Sequence, residues 1–237
     1  MGFEFSWKYF GVILAANLLA LIPFVNDAAG IWRLFLGNGV ILALVIGIGL
    51  ALSPWLGISL TLADTDSKPR VVFLRALLLG GMLAVFTLAA RAMIAISFFE
   101  GLDLSGFLEF SRQSYPGFGG GVMISIADAL LQETVGRLFV LPLIVALLVT
   151  LFPQLQLSPA AYWVGIGIAA IYNRGQDLVG TIFQPLGAGE LLSLFSILVN
   201  IVPAIFFGWL VWKRGWLVGL ACHWSMVATR MLVIFLF

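Results

Sequence analysis

With 62% hydrophobic and only 10% charged residues among 237 positions, the chain lies far from the roughly 25% charged composition of a soluble domain. A net charge of +1 gives no electrostatic footprint for nucleic acid, and the single cysteine, Cys222, excludes an intrachain disulfide framework. These figures predict an all-α fold, a polytopic transmembrane helical bundle in which residues 1–237 form a single integral membrane domain.

Residues 1–8 carry Glu4 and lead into an apolar run that continues past Leu21 without a small-residue cleavage site. That run is therefore expected to be a retained first span, not a signal peptide. A window of about 20 residues places the first span at 7–25, closed by Asn26-Asp27, and the second at 31–52, closed by Ser53-Pro54. A polar connector, 64–70, leads to a third span at 71–99. Residues 100–121 interleave Leu102, Leu104, Phe107, Leu108 and Phe110 with acids and read as an interfacial helix or re-entrant cap, ended by Pro116 and glycines 117, 119, 120 and 121. The fourth span, 122–152, contains Pro142 and is either one kinked span or a span followed by a half-helix. Spans at 160–178, 191–212 and 216–237 bring the expectation to seven, or eight if Pro142 breaks the fourth. With seven, Lys8, Lys68, Arg70, Arg75, Lys213 and Arg214 share one side, which predicts a cytoplasmic N-terminus, as in a bacterial inner membrane.

Chemistry concentrates in Leu131-Gln132-Glu133-Thr134-Val135-Gly136-Arg137-Leu138, polar groups at a depth where each needs a partner. Glu133 and Arg137 stand four apart with the acid first, the spacing and order of a helical ion pair. Gln132 lies about 100° around the helix and requires a partner of its own. Arg91, the cluster Asn173, Arg174, Gln176 and Asp177, then Asn200 and His223 are the other polar groups expected within spans or at their ends. Interhelical hydrogen bonds, worth about 0.6–2 kcal/mol each, account for such groups without a function. Cys222 and His223 do not form a nucleophile–base pair, because adjacent helical residues do not face each other.

The C-terminal stretch from Asn200 through Gly208-Trp209-Leu210-Val211-Trp212-Lys213-Arg214-Gly215 to His223-Trp224 resembles bacterial members of the CPBP family. These are the CAAX-protease and bacteriocin-processing intramembrane proteases, also called the Abi family. An aromatic belt beside a basic loop accounts for the tryptophans alone; the order and gaps of asparagine, Gly-Trp-Leu, Trp-basic-basic-Gly and histidine are what carry the likeness. The motif-bearing part is 122–237, and the N-terminal spans carry no motif.

The resemblance implies site positions one by one. The family's E-E-x-x-x-R reads here Gln132-Glu133-Thr134-Val135-Gly136-Arg137, so Gln132 stands where the family activates water, while Glu133 and its arginine partner are kept. The second motif, similar to F-G-x-G-H, is best placed on Tyr172-Asn173-Arg174-Gly175-Gln176, with Gln176 at the first histidine. In the third, H-x-x-x-N/D, His223 is kept and Val227 replaces the asparagine or aspartate. Of the groups the family uses for catalysis, His223 alone survives.

A glutamine cannot ionise and a valine cannot hydrogen-bond, so Gln132 supplies no base and Val227 no donor. Glu133 could act as base only by giving up Arg137. His223, Glu133 and an amide make a poor zinc set, so neither a metal nor a cofactor is expected. The sequence therefore predicts an impaired protease homologue that binds a peptide, a transmembrane segment or a lipid-like ligand in the former active-site cavity, with membrane lipids around it. The alternative is an active intramembrane endopeptidase using Glu133 and His223. A second alternative is a small transporter or channel lined by Arg91, Arg174 and Asp177, although no inverted repeat supports it.

Overall fold

A computed structural model describes residues 6–24, 34–61, 68–113, 115–156, 158–172 and 188–237, and every element among them is helical. Helix α1 (Trp7–Leu21) ends in a 3₁₀ turn, and a π-helical turn, Leu34–Asn38, leads into α2 (Gly39–Trp55). Helix α3 (Pro69–Phe98) is followed by the short α4 (Leu104–Gln113) and by α5 (Gly117–Gln132). A second π-helical segment, Glu133–Val140, joins α5 to α6 (Leu141–Leu151). After a 3₁₀ turn come α7 (Pro159–Tyr172), α8 (Ala188–Arg214) and α9 (Trp216–Leu236).

Among the described residues, five helical rods are long and apolar enough to cross a membrane: Leu36–Trp55, Pro69–Phe98, Gly117–Leu151, Leu194–Arg214 and Trp216–Leu236. The shorter apolar helices Trp7–Leu21 and Pro159–Tyr172 fall where two further spans are expected. The outward faces agree with a membrane setting. On α3, Leu74, Leu78, Met82, Phe86 and Met93 are 58–68% exposed. A stripe of that length facing water would be an aggregation surface, whereas in hydrocarbon it is matched to its solvent. These features mark an integral membrane protein.

Pro142 does not break its rod, which runs for 35 residues from Gly117 to Leu151. It lies in the first turn of α6, next to the point where Leu141 N–H still bonds the Gly136 carbonyl five residues back. There the hydrogen-bond register changes, and a missing N–H is tolerated. Two other expectations move. Pro54 sits inside the last turn of α2, not beyond it. Glycines 117, 119, 120 and 121, expected to end the interfacial segment, instead open α5. At Gly121 the weak helix propensity is offset by packing: a Cβ there would lie 3.1 Å from Met231 Sδ on α9.

Helix α9 is the hub, packing on α3, α4, α5 and α8. Contact between α9 and α3 depends on Gly80, whose missing side chain leaves room for the Cys222 carbonyl, and Ser225 Oγ donates to the Leu77 carbonyl at 2.6 Å. Gly49 on α2 admits the Leu138 carbonyl of the π segment in the same way. Where lipid removes the hydrophobic drive between helices, such close backbone approach is what holds them. The α8–α9 turn passes through Gly215 at φ +103°, a conformation that favours glycine, and there Trp216 N–H donates to the Ser59 carbonyl at 2.9 Å. At the opposite end of α9, α4 buries Phe107 and Leu108 and leaves Leu104 and Phe110 exposed. Asp103 caps α4 by accepting from Gly106 N–H and Ser105 Oγ, each at 2.8 Å. From α4, Arg112 donates through Nε and Nη2 to the Ile234 carbonyl near the end of α9.

Candidate functional site

The rod Gly117–Leu151 changes its winding at Glu133, the first residue of the π segment. Single π turns inside α-helices recur at functional sites. The Glu133 side chain is 0% exposed, Arg137 1% and His223 3%. The expected ion pair is present: Arg137 Nη1 lies 3.0 Å from Glu133 Oε1. The same oxygen is 2.9 Å from His223 Nδ1, contributed by α9. One carboxylate oxygen thus joins a guanidinium on its own rod to an imidazole on another helix. With Glu133 ionised, Nδ1 carries the proton and donates.

Neighbouring helices complete the node. Trp216 is buried, and its indole N–H donates to the Glu133 carbonyl at 3.0 Å. Arg137 Nη2 donates to the Ala204 carbonyl of α8 at 3.2 Å. Phe207 of α8 stacks on the His223 ring with centroids 4.6 Å apart, and the Arg137 guanidinium carbon lies 5.7 Å from that phenyl centroid. Asn17 of α1 donates to Thr134 Oγ1 at 3.0 Å and to its own Ile13 carbonyl. Helices α1, α8 and α9 therefore converge on two turns of one rod. Glu133 Oε2 has no hydrogen-bond partner among the described residues and faces Gly219, where a Cβ would lie 3.5 Å away.

Gln132 takes a different direction. Its Nε2 donates to Asp128 Oδ1 at 2.7 Å, one turn earlier on α5, and not to His223. Gln132 is half-buried and Asp128 exposed, so this pair forms an open polar edge beside the closed node. Val227 is buried one turn after His223. Gln176, together with Asn173, Arg174 and Asp177, lies outside the described residues. Asn200 bonds within its own helix, donating to the Ser196 carbonyl at 2.7 Å. Cys222 is a buried free thiol on α9. No group of three potential ligands for a metal occurs among the described residues. Asn17, Thr134, Asp128 and Phe207 are additions that sequence reasoning missed; an asparagine within the first span and an acid within the fourth, four residues before Gln132, were the available signals.

Chemically, a carboxylate against an imidazole is the arrangement that orients a histidine for proton transfer. Here the carboxylate is also engaged by Arg137, and all three groups are shut away from water. Compared with family models, with curated proteins and with solved structures, the chain matches none.

Proposed function

We propose that the protein is a seven-span relative of the CPBP intramembrane proteases whose catalytic centre has become a packing node. On this reading it lies in a bacterial inner membrane with its N-terminus in the cytoplasm, surrounded by lipid. Its role is to bind, not to cleave, a peptide, a transmembrane segment or a lipid-like ligand. The observation that carries this reading is the double use of Glu133 Oε1 by Arg137 and His223. A base must reach water to take a proton from it; Glu133 is paired through Oε1 and shut away from solvent, while Gln132 cannot ionise. The half-buried Gln132 amide and the exposed Asp128 carboxylate supply the donor and acceptors that would meet the polar groups of a ligand.

One observation favours a second reading, a hydrolase in which Glu133 orients His223 as base: their 2.9 Å contact. A single assay separates the two. Purified protein in liposomes is given prenylated and transmembrane peptides labelled at both ends, and binding and cleavage are followed together. Saturable binding without cleavage above background is expected, with Gln132→Glu alone restoring no turnover. Cleavage by the unaltered protein that disappears in Glu133→Gln or His223→Ala would establish the hydrolase instead.

A further inference from the structure

The rod Gly117–Leu151 carries two acids, Asp128 and Glu133, in very different settings. Glu133 is buried against the rod's own arginine, Arg137. Asp128 is exposed, and its partner is a neutral amide, Gln132 Nε2 at 2.7 Å. At about 1.5 Å per residue the rod measures roughly 50 Å, well beyond the ~30 Å of a hydrocarbon core. Asp128 stands six residues before the rod's midpoint, about 9 Å from it along the axis. With the rod centred in the bilayer, Asp128 therefore lies inside the hydrocarbon boundary, where an ionisable side chain marks a site for a partner or a substrate.

The donors and acceptors of this edge select the partner. Gln132 directs one amide N–H at Asp128, and among the described residues this is the one side-chain hydrogen bond of either residue. One N–H is left, against the Gln132 carbonyl oxygen and the other lone pairs of the carboxylate. The edge is thus an acceptor surface built on a carboxylate. Around it Ile124 and Leu131, on the same face of α5, are half-buried and apolar.

Resting on the binding role proposed above, we infer that the ligand is a membrane-spanning peptide segment with a basic side chain at the level of Asp128. Its cation is held by Asp128 and Gln132, and its apolar flanks lie on Ile124 and Leu131. A lipid amine carries the same charge, but headgroups lie outside the ~30 Å core. A lysine on a spanning helix reaches Asp128 from within the core on its four-carbon stem.

The test uses the full chain in phosphatidylcholine vesicles and three dansyl-labelled leucine–alanine helices of spanning length. They are identical except for a lysine, norleucine or glutamate about 9 Å from the middle, and energy transfer from the protein's tryptophans reads binding. The lysine helix is expected to bind about tenfold tighter than the norleucine helix, as a charge-assisted pair should, and the glutamate helix to bind weakest. Asp128→Asn is expected to erase the lysine preference, and Asp128→Lys to favour the glutamate helix. Equal binding of all three helices by the parent overturns the inference and leaves the binding role standing, whereas binding of none overturns both. A lysine preference that persists in Asp128→Asn also overturns it. Should the variants not fold, a hydrophobic carbodiimide applied to the parent with the lysine helix decides. A crosslink mapped to Asp128 is expected, and one mapped elsewhere overturns the assignment. Displacement of the lysine helix by added phosphatidylethanolamine would name a lipid amine and overturn the choice of a peptide.

Discussion

Replacing Arg137 with methionine keeps the length and apolar volume of the side chain but strands the Glu133 carboxylate in a position that is 0% exposed. His223 remains 2.9 Å from Oε1 as its one strong partner, while the Ala204 carbonyl loses the donor at 3.2 Å. Breaking a buried ion pair from one side costs on the order of 3–5 kcal/mol, because the remaining charge is left in low dielectric. At about 1.4 kcal/mol per factor of ten, the unfolding equilibrium should move by roughly two to three and a half decades. Removing both charges together in Glu133→Leu/Arg137→Met should recover most of that loss, since a well-packed apolar pair often equals a buried ionic one. His223→Ala leaves the ion pair intact and should cost less, about 1.5–3 kcal/mol for a hydrogen bond to a charged group. The assay is loss of helical circular dichroism against mole fraction of SDS in mixed micelles, with all four proteins measured side by side. An Arg137→Met cost below about 1 kcal/mol, the range of solvent-exposed pairs, would refute the buried node.

Gly80→Val should force α3 from α9 at the Cys222 carbonyl and lower stability by about 1–3 kcal/mol; Gly81→Ala, whose Cβ would lie 3.5 Å from Thr229 Oγ1, should be near neutral in the same assay. Trp216→Phe removes the indole donor from the Glu133 carbonyl and should cost about 1–3 kcal/mol for the buried acceptor left behind, read from the same SDS curves. Hydrogen bonds from Gly106 N–H and then Ser105 hold the Asp103 carboxyl below its ordinary value. Its contribution to the α4 cap is therefore present above the usual carboxylate range and lost as pH falls through the lowered value. Amide exchange at Gly106, corrected for intrinsic pH dependence, should accelerate on acidification in the parent and be fast throughout in Asp103→Ala.

Hydropathy made the long helices legible because lipid-facing and packed positions are both apolar, and windows of spanning length register that directly. Their ends were harder to read. Glycines 117, 119, 120 and 121 look like a helix stop locally, yet α5 begins there because Gly121 lets α9 approach, a tertiary fact with no local signature. Likewise Pro142 looks like a break, and only the π winding before it shows why the rod continues. The Glu133–Arg137 pair followed from spacing alone. His223 stands out as a polar group within the last span, but its bond to Glu133 spans 90 positions that no periodicity connects. Trp216, two positions after Lys213-Arg214, has the sequence setting of an interfacial tryptophan, yet it is buried where the Gly215 turn brings α9 back against the π segment. The partner that Gln132 requires is an acid one turn earlier on its own helix, Asp128.

The claim that Glu133 holds His223 admits a direct measurement, because the chain contains one histidine. Nitrogen-15 labelling of histidine therefore yields a single imidazole spectrum in a membrane mimetic, with no assignment step. A Nδ1–H resonance shifted downfield by a carboxylate acceptor is predicted in the parent, retained in Gln132→Glu and lost in Glu133→Gln. An imidazole spectrum identical in the parent and Glu133→Gln would contradict the node.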